Sequence, residues 1–186
     1  MIFECISLVL GIIKVLFYKL LYFSRVNFKS IPRMNNSFKI AIKRKSKLEV
    51  GNCFRTRNNV SFRIYDSGKI KIGDNCFMND SCSLNCQDEI IIGDNVICGQ
   101  NVMFFDHDHD YRNDINKFIK KKIIIGNNVW IGANCTILKG VTIGDNVVVA
   151  AGTIVRENIE SNSIYYENKN FLQKIEGEYL WKRKYF

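Results

Sequence analysis

Two histidines stand two residues apart in an acidic run, Asp106-His107-Asp108-His109-Asp110, and they are the chain's only histidines. An imidazole can take and return a proton near neutral pH, and it is also a common metal ligand. Two of them exclude any zinc site that draws three imidazoles from one chain, and no metal is expected. The chain has seven cysteines, an odd number and too few among 186 residues for a disulfide scaffold. Free thiols in a reducing compartment are the expectation.

The element that must position the histidines is read from a period of six. Ile125, Ile131, Ile137, Ile143, Val149 and Val155 recur without a slip, and a small or β-branched residue (Val129, Cys135, Val141, Val147, Thr153) stands four places after each of the first five. The same register runs through Ile72, Met78 and Leu84, through Ile92, Cys98 and Phe104, and more weakly from near Val50. Period six is neither helical nor the alternation of a hairpin sheet. It predicts an all-β fold, a parallel β-helix in which three short strands make one 18-residue coil and Gly-Asp-Asn or Gly-Asn-Asn turns make the corners. Cys76, Cys82, Cys98 and Cys135 fall at inward positions, which reads as core packing rather than metal or redox chemistry.

The spacing also shows where regularity fails. Ile72 and Ile92 are 20 residues apart, but Ile92 and Ile125 are 33 apart, so an excursion must leave the prism over roughly 106–122. Both histidines lie in it. Loops thrown from a rigid scaffold are the usual carriers of chemistry.

The formal net charge of +9 is uneven along the chain. Residues 1–47 hold ten cationic side chains and one acid, Glu4, while the rest of the chain carries 17 of each sign. A neutral body without a basic, aromatic-interleaved patch argues against nucleic acid as a partner. Residues 2–23 are mostly apolar but are broken by Glu4, Lys14 and Lys19, which leaves no uncharged stretch long enough to cross a bilayer. Glu4, Ser7, Gly11, Lys14 and Tyr18 form one narrow polar stripe at helical spacing. Two readings of this amphipathic helix stay open: an in-plane membrane helix backed by a basic stretch, or a helix packed on the protein's own body or a partner subunit.

The segment IIIGNNVWIGANCTILKGVTIGDNVVVAAGTIV resembles the signature of the hexapeptide-repeat acyltransferases, most closely the galactoside, maltose and capsular-polysaccharide O-acetyltransferases, over about residues 70–160. The resemblance implies a left-handed β-helix, a homotrimer, acetyl-CoA as co-substrate in a groove between subunits, and a sugar or glycan acceptor. Counting through NVICGQNVMFFDHDH puts the family's catalytic base at His109, and the same count puts its substrate-orienting asparagine at Asn79 in FMNDSCSLN. The structural alternative for Asn79 is an internal asparagine ladder. The resemblance further implies an oxyanion donor at the Ala133 N–H, Trp130 beside the thioester arm, and cofactor contacts at Gly132, Ala133, Ala151 and Gly152. Asp106, His107 and Asp108 are the candidate acceptor contacts. Where the family's lysine is usual the chain has Glu157, and the stretch YYENKNFLQKI lacks the expected glycine and proline. The contact to the CoA 3′-phosphate then falls to Arg156, Lys169 or Lys174, or to the Lys120–Lys122 run of a neighbouring subunit.

The resulting division is an amphipathic helix and basic arm over 1–47, a β-helix domain over 48–160 with its loop at 106–122, and a C-terminal cap over 161–186. The expected activity is direct O-acetylation of a sugar hydroxyl in a bacterial surface glycan or its precursor, in the cytoplasm or peripherally at the inner face of the cell membrane. N-acetylation of an amino-sugar nucleotide is the alternative. A carbonic-anhydrase-like or non-catalytic β-helical trimer comes after it.

Overall fold

Glycine, aspartate and asparagine at every third corner force the chain to turn after strands of two to four residues, so the inward aliphatic side chains stack into a prism. The computed structural model describes residues 2–43, 45–166 and 172–174, without the side chains of 2–5 and 172–174. Its strands form a left-handed parallel β-helix with three faces. Face one stacks Val26–Phe28, Lys47–Val50, Lys69–Ile72, Glu89–Ile92, Ile123–Ile125 and Thr142–Ile143. Face two stacks Lys39–Ile42, Ser61–Ile64, Ser83–Cys86, Met103–Phe105, Thr136–Leu138 and Ile154–Val155. Face three runs from Arg55–Thr56 through Phe77–Met78, Ile97–Cys98, Trp130–Ile131 and Val148–Val149 to Ser163–Tyr165. Leu172–Lys174 ends that face as an antiparallel strand.

Strand pairing starts at Val26, well inside the stretch set apart by its charge, so two of the first coil's strands lie before residue 48. The period of six hides these coils because their passage through faces two and one is longer, with four-residue strands such as Ser61–Ile64 and Lys69–Ile72 where the upper coils have Thr136–Leu138 and Thr142–Ile143. Phe28, Val50 and Ile72 are stacked partners 22 residues apart, whereas Ile125 and Ile143 are 18 apart. The longer coils are filled by aromatic rings: Phe38 meets Phe62 edge-on at 5.0 Å, and Phe54 lies 6.2 Å from Phe62. All three are fully buried. Upper coils use isoleucine, valine and cysteine instead.

The corner between faces one and three is held by two polar ladders. In one, side chains accept the backbone N–H of the coil below: Asn52 to Asp74 (2.8 Å), Asp74 to Asp94 (2.7 Å), Asp94 to Asn127 (2.9 Å) and Asn127 to Asp145 (2.6 Å). In the other, left-handed asparagines pass amide bonds upward, Asn95 to Asn128 to Asn146 to Asn162, at 2.9–3.1 Å. Asparagine tolerates that backbone better than other side chains.

The inward cysteines behave as core residues. Burial pushes the Cys76 thiol up to about 12 and the Cys82 thiol up to about 11, and raises Cys86 and Cys98 as well. Unfolded thiols ionise near 9, so at higher pH the native state keeps protons that the unfolded chain has lost. Stability is therefore expected to fall as pH rises from about 9 through 11. Thermal melts across that range check it, and a flat profile contradicts it. Cys53 alone is exposed among the described cysteines, and a maleimide at neutral pH should label it first.

The amphipathic helix, α1 (Ile2–Leu21), closes the open N-terminal edge of the prism with its polar stripe. Lys14 Nζ donates to Asn36 O (2.8 Å), and the Tyr18 hydroxyl accepts the Ile40 N–H (3.2 Å). Gly11 is required by proximity, because a Cβ there would stand 1.9 Å from Met34 O.

Candidate active site

The excursion is a two-stranded antiparallel hairpin, His107–Asp110 with Asp114–Lys120, thrown out at the end of face two. Asp106 roots it. Its side chain is 0% exposed, and its carboxylate accepts the Gln87 N–H (2.9 Å) and the Asp88 N–H (2.8 Å), while its carbonyl accepts the Lys121 N–H (2.9 Å). Ion pairs tie the hairpin to the neighbouring coils, Lys120 with Asp66 and Lys139 with Asp108.

Both histidines are held through Nδ1. His107 Nδ1 bonds Asp106 Oδ1 at 2.8 Å, and His109 Nδ1 donates to the Ile115 carbonyl at 2.6 Å. A carbonyl oxygen can only accept, so at His109 the proton sits on Nδ1 and a neutral ring leaves its Nε2 lone pair available as a base. Phe118, opposite His109 in the hairpin register, lies against that ring at 4.4 Å, tilted by 38°, and meets His107 edge-on at 5.4 Å. His109 is exposed and His107 is mostly covered.

A second feature lies at the corner between faces three and two. In the lower coils the N–H at this corner is taken: Asn58 donates to Asp80 Oδ1 (2.8 Å), and Asp80 donates to Asn79 Oδ1 (2.9 Å). In the next three coils the same position is Gln100, Ala133 and Ala151, and none of these N–H groups has an acceptor among the described residues. Gly132 lies under Ala151, where a Cβ would approach its nitrogen to 2.5 Å, and the Gly152 N–H donates to Ala133 O (2.8 Å). Trp130 lies half-exposed on face three beside Ile97 and Val148. The upper corner is thus a column of backbone donors without acceptors among the described residues, suited to a thioester oxygen or the amides of an extended arm.

The expected site residues divide accordingly. Asn79, Gly132, Ala133, Ala151 and Gly152 share the donor corner, and Asn79 caps its own turn rather than joining a ladder. Asp106 needs correcting as an acceptor contact: it is buried with its oxygens taken, and it orients His107 instead. Asp108 is engaged by Lys139. Arg156 is exposed, Glu157 accepts the Tyr165 hydroxyl (3.1 Å), and the side chain of Lys174 lies outside the described residues, as do Lys169 and the 175–186 tail. Gln100, Phe118 and Ile115 were not legible as site residues. The only available signal was the alternation DHDHD against DINKFIK across a turn. Among the described residues no group of three or more His, Cys, Asp or Glu side chains is arranged to hold a metal ion.

Residues 122–157 match the family model described as the hexapeptide repeat of succinyl-transferase. The galactoside O-acetyltransferase of Escherichia coli is 57% identical over 42 residues, 23% of this chain and 21% of that enzyme. The chain spans about a third or less of the length of the curated relatives it matches. A solved maltose O-acetyltransferase from Clostridium difficile is 28% identical with a TM-score of 0.51, covering 81% of this chain and 71% of that one. AntD, an N-acyltransferase from Bacillus cereus solved with dTDP and 3-hydroxybutyryl-CoA, shares the fold at a TM-score of 0.72 and 19% identity, over 86% of this chain and 87% of its own. The chain thus shares with these acyltransferases a hexapeptide repeat over residues 122–157 and a left-handed parallel β-helix.

Proposed function

We propose that the chain is an acetyl-CoA-dependent O-acetyltransferase that modifies a sugar hydroxyl in a bacterial surface glycan or its precursor. The observation that carries this is the pairing of a carbonyl-fixed base, His109, with a column of open backbone donors at Gln100, Ala133 and Ala151. A sugar hydroxyl is a poor nucleophile at neutral pH. His109 Nε2 takes its proton as the oxygen attacks the thioester carbonyl, the Ala133 N–H receives the oxyanion, and the thiolate of CoA leaves with a proton returned by the imidazolium. Each role is worth roughly two or more orders of magnitude in rate.

The two features lie at opposite ends of face two, separated by the strand Thr136–Leu138, about 10 Å of extended chain. A homotrimer resolves this, with the base of one chain facing the donor corner of the next. Arg156 and Lys174 are the candidates for the CoA 3′-phosphate. Residues 1–47 bring the trimer to the inner face of the cell membrane, where such acceptors are assembled.

The test is release of free CoA thiol from acetyl-CoA by the purified full chain across a panel of sugars, glycans and amino sugars. Hydroxyl-dependent release supports the proposal. Release with amine acceptors alone makes the chain an N-acetyltransferase, and no release with any acceptor overturns the reading.

A further inference from the structure

The helix α1 is mounted with its polarity inverted. Gly11, Lys14, Val15 and Tyr18 face the prism, and Val9, Ile13, Phe17 and Leu20, with Phe23 just past the helix, are turned outward, Leu20 and Phe23 being 79% and 85% exposed. The first coil's backbone edge explains why. Met34 O, Asn36 O and Ile40 N have no strand beneath them, and the stripe supplies both a close glycine and polar partners. What remains is an apolar face with no protein against it among the described residues. No described helix is long and apolar enough to cross a membrane.

Beside this face is a cleft of about 150 Å³. Leu16 and Ile31 form its apolar walls, and Lys19, Lys29 and Ser30 line it as well. The Ser30 hydroxyl accepts the Cys53 N–H (3.2 Å), which leaves its own proton to donate. Lys29 lies 3.6 Å from Asp74 Oδ1, yet its side chain is 63% exposed. A second copy docked here would bring one strongly cationic arm against another. An anionic bilayer does the opposite.

We propose that α1 lies in the plane of an anionic bilayer and that the Lys19–Lys29 cleft seats a phospholipid phosphate, so that the prism stands on the membrane by its N-terminal end. This rests on the reading of residues 1–47 as a membrane arm. The hairpin leaves face two three strands above its lowest, about 14 Å above that strand, with the thickness of α1, about 10 Å, beneath it. An acceptor sugar on a membrane-anchored carrier could reach that height.

Co-sedimentation of the full chain with vesicles tests it, using phosphatidylcholine alone and an equal mixture with phosphatidylglycerol. Wild type should favour the mixed vesicles and lose that preference in high salt. Lys19→Gln and Lys29→Gln should each weaken binding to mixed vesicles about fivefold and leave phosphatidylcholine unchanged. Phe17→Ser with Leu20→Ser should weaken both, with unchanged circular dichroism. If the two lysine variants bind mixed vesicles as wild type does, the cleft is overturned and the membrane arm stands. If wild type binds neither vesicle, or self-associates through α1 instead, both fail.

Discussion

Replacing His109 with alanine is expected to lower kcat by about 10²- to 10⁴-fold, the usual worth of a positioned general base, with little change in Tm. The ring is exposed, and its contacts with Phe118 and the Ile115 carbonyl lie within the hairpin rather than the prism, so its loss removes chemistry more than structure. His107→Ala is the necessary comparison. Both rings are held through Nδ1, but His107 is held by a buried carboxylate and mostly covered, whereas His109 presents its free nitrogen at the surface. His107→Ala should therefore cost less than tenfold in kcat and should loosen the hairpin. If His107→Ala abolishes turnover while His109→Ala retains it, the two roles are exchanged.

The upper coils were legible because nothing interrupts their six-residue period: Ile125 to Val155 names the inward positions, and every one proved buried. The lower coils were not, because coils four residues longer, most of it in longer strands on faces two and one, break the period, and the pattern fades before Val50 although pairing continues down to Val26. Charge counting consequently drew its line at residue 47, inside the prism. For α1 the periodicity gave the stripe and could not say which side would dock. Only the unpaired edge of the first coil decides that. The donor corner was half legible. Ala133 is visible through a resemblance, but the openness of its N–H follows from what the coils below do with Asp80 and Asn79, a relation across stacked corners that residue order alone does not display.

Asp106 gives the second large effect, and it separates structure from chemistry. Asp106→Ala removes the acceptor for two N–H groups, Gln87 and Asp88, at the root of the hairpin. An unsatisfied buried donor costs about 1–3 kcal/mol, and of the pair only Gln87 is buried while Asp88 is exposed, so the loss is about 2 kcal/mol and lowers Tm by about 6 °C in a chain of this size. Melts at matched protein concentration measure this, and a fall of under about 3 °C would show that the carboxylate does not root the hairpin. Asp106→Asn is the more informative change. Its oxygen can still accept a backbone N–H, but its amide must face His107 Nδ1 as a donor, which forces that imidazole to move its proton to Nε2. A base at His107 would be disabled by that tautomer switch, whereas a base at His109, fixed by the Ile115 carbonyl, would be untouched. Asp106→Asn is therefore expected to keep most of kcat while losing part of the stability. Loss of activity on the scale of His109→Ala would move the chemistry to His107.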